Sequence, residues 1–581
     1  MSAPPRFSSC GRDRIGKFAH LALIALLVAI FPQGGAQAGD GGKGPPGCPP
    51  GLAKKENGCQ PPGQAKNRVL RVGTFRSIPG QFSTIQSAVD AANPGDWILV
   101  APGDYHEQGD REHLWPGVAS GAVYITTPNL HLRGMDRNGV VVDGTKPGAA
   151  QCSSDPNYQD LGPMDWNGTP LGRNGILVFK ADNVVVENLT ACNFLDGSGG
   201  GGNQIWWNGG YESGKIGLGP YLGQYLSATS TYFQSAQQPN AEYGIFVSNS
   251  RGPGMVLHSY ASNMADASFY IGACPNCNAV LADAHAQNSA QGFSGTNSGG
   301  HLVVAYSEWD GNLNGISANS QDTEGPSPQN GQCPADEGLT GNGLCTYYIR
   351  NYVHDNNNPN VPGAGLAGMG PVGTGILVSG GQYDTVAWNR VEHNGSWGIL
   401  LVPFADFSQP PPPNASCAGG IVPQVTDPFP LGLLASLGCS CYFDAFGNEV
   451  HDNFLRDNGF FGNDTNGDLG EISGLNDPGN CWYENFDPQG VTSSPADIQT
   501  THAVCGVPNQ GANFLDPLGL QLACATQALG GPCTGLPGNP GYPQPTQVTL
   551  LPLPLQPSME DPCEGVPSNP WCKKERGEKP W

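Results

Sequence analysis

Cations are what this chain has least of. Only 13% of its 581 residues are charged, and Asp plus Glu outnumber Lys plus Arg by 49 to 26, for a formal net charge of −23. The shortage is regional: after Lys215 the next lysine is Lys573, and between them stand only Arg251, Arg350, Arg390 and Arg456. Nucleic acid as a partner is therefore disfavoured, because phosphate contacts need clustered Lys and Arg. Long apolar runs are missing too. The stretch His20 to Phe31 is too short to span a bilayer and no later one is longer, so no membrane span is expected. Nor does a 3.6-residue apolar period run through the chain, which argues against a helical architecture.

What is present begins with an export signal. Arg12, Arg14 and Lys17 precede the apolar run, and Ala36-Gln-Ala38 is a small-x-small cleavage site. Residues 1–38 read as a signal peptide and predict an exported protein of the periplasm, cell surface or extracellular space. Of 18 cysteines, Cys10 lies in that leader, and the remaining 17 fit an oxidising compartment. Expected local pairs are Cys48–Cys59, Cys274–Cys277 and Cys563–Cys572, with the odd total leaving one thiol free or intermolecular. Cys274-Pro-Asn-Cys277 has redox-motif spacing, but it sits between strands and not at a helix start, where a thiolate would be stabilised.

Seven hexapeptides share one ending. Asn188–Asn193, His258–Asn263, Asp283–Asn288, Ser307–Asn312, Asn351–Asn356, Asn389–Asn394 and Asn453–Asn458 each follow a short apolar run and close on Asn. Asn263, Asn288 and Asn312 are 25 and 24 residues apart, a period that predicts a solenoid. Short strands with Gly and Asn turns make it an all-β solenoid of eight to ten coils. The repeat Asn suits a tight left-handed turn, and stacked copies can hydrogen-bond along the axis as a ladder. Insertions are expected at about 195–240, 318–343 and 405–445.

Phe82–Glu107 predicts a short helix, N-capped by Ser83 or Thr84 and carrying Ile85, Ala88 and Ala92 on one face, then a Pro94-Gly-Asp96 turn and a buried strand Trp97–Val100. This resembles the entry element of the pectin lyase-like right-handed parallel β-helix superfamily. The resemblance covers about residues 68–510 and implies that fold, with the helix capping an otherwise open solenoid end. It carries no catalytic residue across: the paired aspartates with Gly-His-Gly of polygalacturonases and the Asp-Pro-His of alginate epimerases are absent. Around it, 39–67 reads as a Gly/Pro-rich linker and 511–581 as a Pro-rich extension with a cysteine pair.

Strand alternation supplies the candidate site. In the late coils the repeat Asn and the apolar residue two positions on face inward. Tyr306, Glu308 and Asp310, then Arg350, Tyr352 and His354, then Trp388, Arg390 and Glu392, then Asp452, Phe454 and Arg456 face outward. Asp310, His354, Glu392 and Arg456 then form one column. Aromatic faces suit sugar rings and Arg suits carboxylates, so His354, Arg350, Arg390 and Glu392 are the catalytic candidates. Tyr306, Glu308, Asp310, Tyr352, Trp388, Phe454 and Arg456 are the substrate-binding candidates. The same parity turns Asp283 and His285 inward. Asp464, Asn466, Asp468 and Glu471 have the spacing of a calcium loop, though Gly470 falls one position late for an EF-hand. The expected function is binding or processing of polysaccharide by a monomer, on a uronate polymer in a lyase or epimerase manner, with calcium bridging the like charges. The alternative is a non-catalytic structural or accessory β-helix protein of the cell envelope.

Overall fold

The computed structural model describes residues 67–109, 118–210, 218–321, 327–406, 421–423, 439–473, 479–507, 517–526 and 541–573. The leader, its cleavage site and the Cys48–Cys59 pair lie outside them.

The described chain winds into a parallel β-helix. Each complete coil places one strand on each of three faces. Those of the first and second faces run together as a 20-stranded sheet, and those of the third form an 11-stranded sheet. One coil reads Ser298–Ala305, Glu308–Asp310 and Asn314–Asn319, and each strand pairs in parallel with its equivalent in the next coil. Eleven strands on one face slightly exceed the eight to ten coils expected. The expected 195–240 insertion accounts for part of this, because it holds the strands Asn203–Asn208 and Tyr221–Thr229 of an ordinary coil. Its Gly- and Trp-rich composition hides the alternation. The 405–445 stretch does leave the solenoid, as the antiparallel strands Phe404–Asp406, Ile421–Pro423 and Cys439–Phe443.

Alternate residues of the coil strands fill a continuous apolar interior from Leu70 to Ile498, aliphatic for the most part with Phe, Tyr and Trp among them. Helix α1, Ile85–Asp90, closes its first end with Thr84 as N-cap, and Glu107 accepts hydrogen bonds from the first helical N–H groups. The corners between faces use the left-handed region at His258, Asp283, Tyr306, Arg350, Trp388 and Asp452. Inside the corners run asparagine ladders. Asn351 donates to Asn389, Asn389 to Asn453 and Asn453 to Asn485, at 2.8–3.1 Å. A second ladder links Asn312, Asn356, Asn394 and Asn458 at 3.0–3.2 Å.

Residues 541–573 of the Pro-rich extension form a strap running back along the solenoid. Gly541 donates to Asn463 near the last coils, and Asn288 and Asn263 donate to the carbonyls of Thr549 and Leu551. The strap then crosses to the opposite corner, where Gln556 pairs with Asn138, and Ser558 and Met559 donate to Asn188. It ends with Trp571 donating to the carbonyl of Ile78, beside the first coils. Disulfides join Cys563–Cys572 and Cys274–Cys277 as expected, and also Cys152–Cys192, Cys333–Cys345 and Cys481–Cys505. Among the described residues no cysteine is free. No helix among them is long and apolar enough to cross a membrane.

Candidate functional site

The outward stripe of the second face lies where strand alternation puts it. Ala286, Trp309, Val353, Val391 and Leu455 are fully buried, so their strand neighbours point out. Glu308, Tyr352, Arg390 and Phe454 pair in register down one column. Asp310, His354, Glu392 and Arg456 pair down the next. Successive residues in a column are spaced by roughly 4.8 Å.

Arg350 differs from the other two arginines of the stripe. Tyr306, Arg350 and Trp388 occupy the left-handed corner at the edge of this face, and the guanidinium of Arg350 sits 5.8 Å from the Tyr306 ring and 5.4 Å from that of Trp388. Both rings are exposed, at 62% and 38%. No carboxylate pairs with Arg350 among the described residues. Arg390 and Arg456 are instead committed to Glu392. Arg390 Nε and Nη2 reach its two oxygens at 2.7 and 2.8 Å, and Arg456 Nη2 reaches it at 2.9 Å. Glu392, expected as a catalytic carboxylate, is only 1% exposed and is held between the two arginines. Arg390 also lies over the Tyr352 ring at 4.6 Å. The Glu392 hydrogen bond raises the Arg390 pKa, while burial first and Glu392 next raise that of the Tyr352 phenol.

His354 stacks on Tyr352 at 3.9 Å and presents both nitrogens to carboxylates, Nε2 to Glu308 at 3.2 Å and Nδ1 to Asp355 at 2.8 Å. Both of its nitrogens are thereby engaged, whereas His285, which strand parity turned inward, keeps one nitrogen without a hydrogen bond among the described residues. His285 pairs in register with Glu308 and lies on the outward stripe, its Nε2 2.6 Å from Asp310 Oδ1. Gln287 Nε2 holds the other Asp310 oxygen at 2.7 Å. Asp310 thereby orients the ring, and Nδ1 makes no hydrogen bond among the described residues, so it is the acceptor of the neutral tautomer. Asp283 is likewise outward, with its side chain 70% exposed and paired to His258.

The correction has a simple cause. In the late coils the terminal Asn is the inward ladder residue. In the coils of Asn263 and Asn288 it occupies the left-handed corner one position earlier, and Ser289 takes the ladder place, its N–H donating to Asn312 Oδ1. Aligning the hexapeptides on Asn shifted the early coils by one residue, and a one-residue slip reverses every side chain. The clue available was the Ser and Ala that follow Asn288.

The expected calcium ligands are not brought together as a group. Asp468 accepts from Asn458 and Thr492 at the end of an Asn ladder, and burial raises its pKa. Glu471, 1% exposed, accepts from Asn480 and Trp482. Asn466 pairs with Tyr542 and Asn463, and Asp464 is exposed. Elsewhere, one ligand atom each from His285, Glu308 and Asp310 lie within 4.8 Å of one another, a set able to seat a cation.

The open stretch of the stripe is bounded on one side. Towards the first coils the equivalent outward residues Thr190, Ser227, Thr229, Tyr260 and Ser262 are buried, with Arg137 bonded to Ser227 and Thr190. From His285 to Phe454 and Phe486 the face is accessible.

No family model matches the chain, and no curated protein matches it. Among solved structures, the A-module of the Azotobacter vinelandii mannuronan C-5 epimerase AlgE6 is similar at a TM-score of 0.38 and 13% identity, over 69% of this chain and 88% of that one. The Yersinia enterocolitica family 28 exopolygalacturonase is similar at 0.39 and 11% identity, over 73% and 76%. An alginate lyase from Paenibacillus sp. is similar at 0.27 and 11% identity, over 67% and 98%.

Proposed function

We propose that this protein binds an anionic polysaccharide, of uronate type, along the second face and acts on it by proton transfer. One observation carries the reading: Arg350 is exposed, sandwiched by Tyr306 and Trp388, and lacks a carboxylate partner among the described residues. A planar cation between two rings matches a sugar bearing a carboxylate, because the rings stack on pyranose faces and the guanidinium takes the two oxygens. In an acidic protein short of arginine, an unpaired one on an open face points to a ligand more than to folding.

Chemistry is assigned to the neighbouring strands. Tyr306 precedes Glu308 by two residues, so a sugar on the aromatic corner places its neighbour over Glu308, His285 and Asp310. His285, held by Asp310, can take a proton through Nδ1, and Glu308 beside it can return one. Proton removal next to a uronate carboxylate is the first step of both β-elimination and epimerisation. Calcium bridging the carboxylates of protein and polymer would offset the repulsion between an acidic protein and an acidic polymer.

The test is a screen of alginate, polygalacturonate and glycosaminoglycan. Rising ultraviolet absorbance reports new unsaturated ends, proton exchange into the polymer reports epimerisation, and tryptophan quenching reports binding. Quenching without turnover leaves a binding protein. No response to any polyuronate defeats the reading and favours a structural role in the cell envelope.

A further inference from the structure

The groove has one blocked end, closed by Arg137 and by the chain's own strap, which Arg137 holds at Pro557. The strap's position is fixed by hydrogen bonds at both edges of the second face. At one edge Asn288 and Asn263 hold Thr549 and Leu551, with the Leu551 N–H returned to Asn263. At the other edge Asn138 takes Gln556, Asn188 takes Ser558 and Met559, and Arg137 donates to the carbonyl of Pro557. Residues 552–555, Pro-Leu-Pro-Leu, must therefore pass over the face between the coil of Asn263 and that of Asn188. Beneath that crossing Arg137 covers the face: its Nε donates to Ser227, its carbonyl accepts from Thr190, and Thr190, Ser227, Thr229 and Tyr260 are 0–1% exposed, whereas His285 in the next coil has a side chain 32% exposed. Backbone of this kind is stiff, since proline fixes its dihedrals and the crossing is tied on both sides.

Resting on the reading given above, we propose that the site recognises a polysaccharide chain end and not an internal segment. A polymer lying along the columns from Phe454 towards His285 meets the strap one coil beyond His285 and has no open face on which to continue. The terminal ring then lies at His285, Asp310 and Gln287, beside His258 and Asp283. These hydrogen-bonding groups suit the free hydroxyl that a terminal ring carries and an internal ring does not.

The test uses the intact protein and the polyuronate that quenches its tryptophan fluorescence, prepared as short and long fractions. Titration calorimetry counts protein molecules bound per chain. One protein per chain at both lengths is expected. A number that grows with chain length overturns end recognition while leaving the polysaccharide reading standing, and no binding at either length overturns both. A double variant, Asn263→Gly with Asn288→Gly, releases one edge of the strap while keeping a residue that tolerates the left-handed corner. It should convert the long fraction to several proteins per chain, and an unchanged count of one would remove the strap as the cause.

Discussion

At the residue scale, similar side chains divide by what they already hold. Arg350→Ala should lower polyuronate affinity at least tenfold, about 1.4 kcal/mol. Its melting temperature should stay close to that of the parent, because exposed substitutions cost under about 0.5 kcal/mol. Arg390→Ala should behave differently. It strips two charged donors from a buried Glu392, which costs on the order of 1–3 kcal/mol in urea denaturation. Equal stability losses for the two would show that both arginines are structural. Asp283→Ala should now have little effect on stability, since that carboxylate is mostly in water.

Asp384 offers a sharper case. It is fully buried in the interior, with one oxygen bonded to Gln329 and the other without a partner among the described residues, and burial pushes its pKa from 3.8 up to about 8. The folded state thus holds the proton more tightly than the unfolded chain. Its contribution to stability is complete below about pH 4 and is lost as pH rises to about 8. Asp384→Asn keeps the shape and supplies a donor that needs no proton from solvent. The variant should gain stability over the parent progressively as pH climbs through that window, read from paired melting curves. A difference that is flat in pH would mean that Asp384 is ionised in the fold.

At the scale of the element, the asparagine ladders do in the corners what hydrogen-bonded pairing does along the strands. Asn389 takes the N–H and side-chain amide of Asn351 and donates to Asn453 and to the Tyr348 carbonyl. Asn389→Ala should therefore destabilise by about 2–3 kcal/mol, since several buried groups lose partners together. A denaturant midpoint within error of the parent would show that water replaces the rung. The ladders, the parallel strands and the capping helix were legible in the sequence because their period and turn residues are local. The outward columns from Glu308 to Arg456 were legible for the same reason. His285 was misplaced because Asn serves two adjacent positions, the ladder and the left-handed corner, and the letter alone does not say which. The commitment of Arg390 to Glu392 was also invisible, as it depends on where side chains two positions apart fold over.

Across the whole molecule, charge sets the conditions for binding. With a net charge of −23, affinity for a polyuronate should rise with added calcium and fall on chelation. Affinity indifferent to chelator would mean that Arg350 and direct hydrogen bonding suffice. The strap was the least legible feature. Its composition reads as loose extension, and its order comes from partners hundreds of residues away that no local pattern reveals.

That same strap fixes an order of assembly. A nascent chain presents the coils from first to last, and the segment that ties Asn263 and Asn288 to Asn138 and Asn188 arrives after every coil. Its bond from Trp571 to Ile78 spans 493 residues, the kind of non-local contact that forms late because loop closure comes before its reward. A product cut short before the strap would leave Asn138, Asn188, Asn263 and Asn288 without the corner partners that the finished molecule gives them.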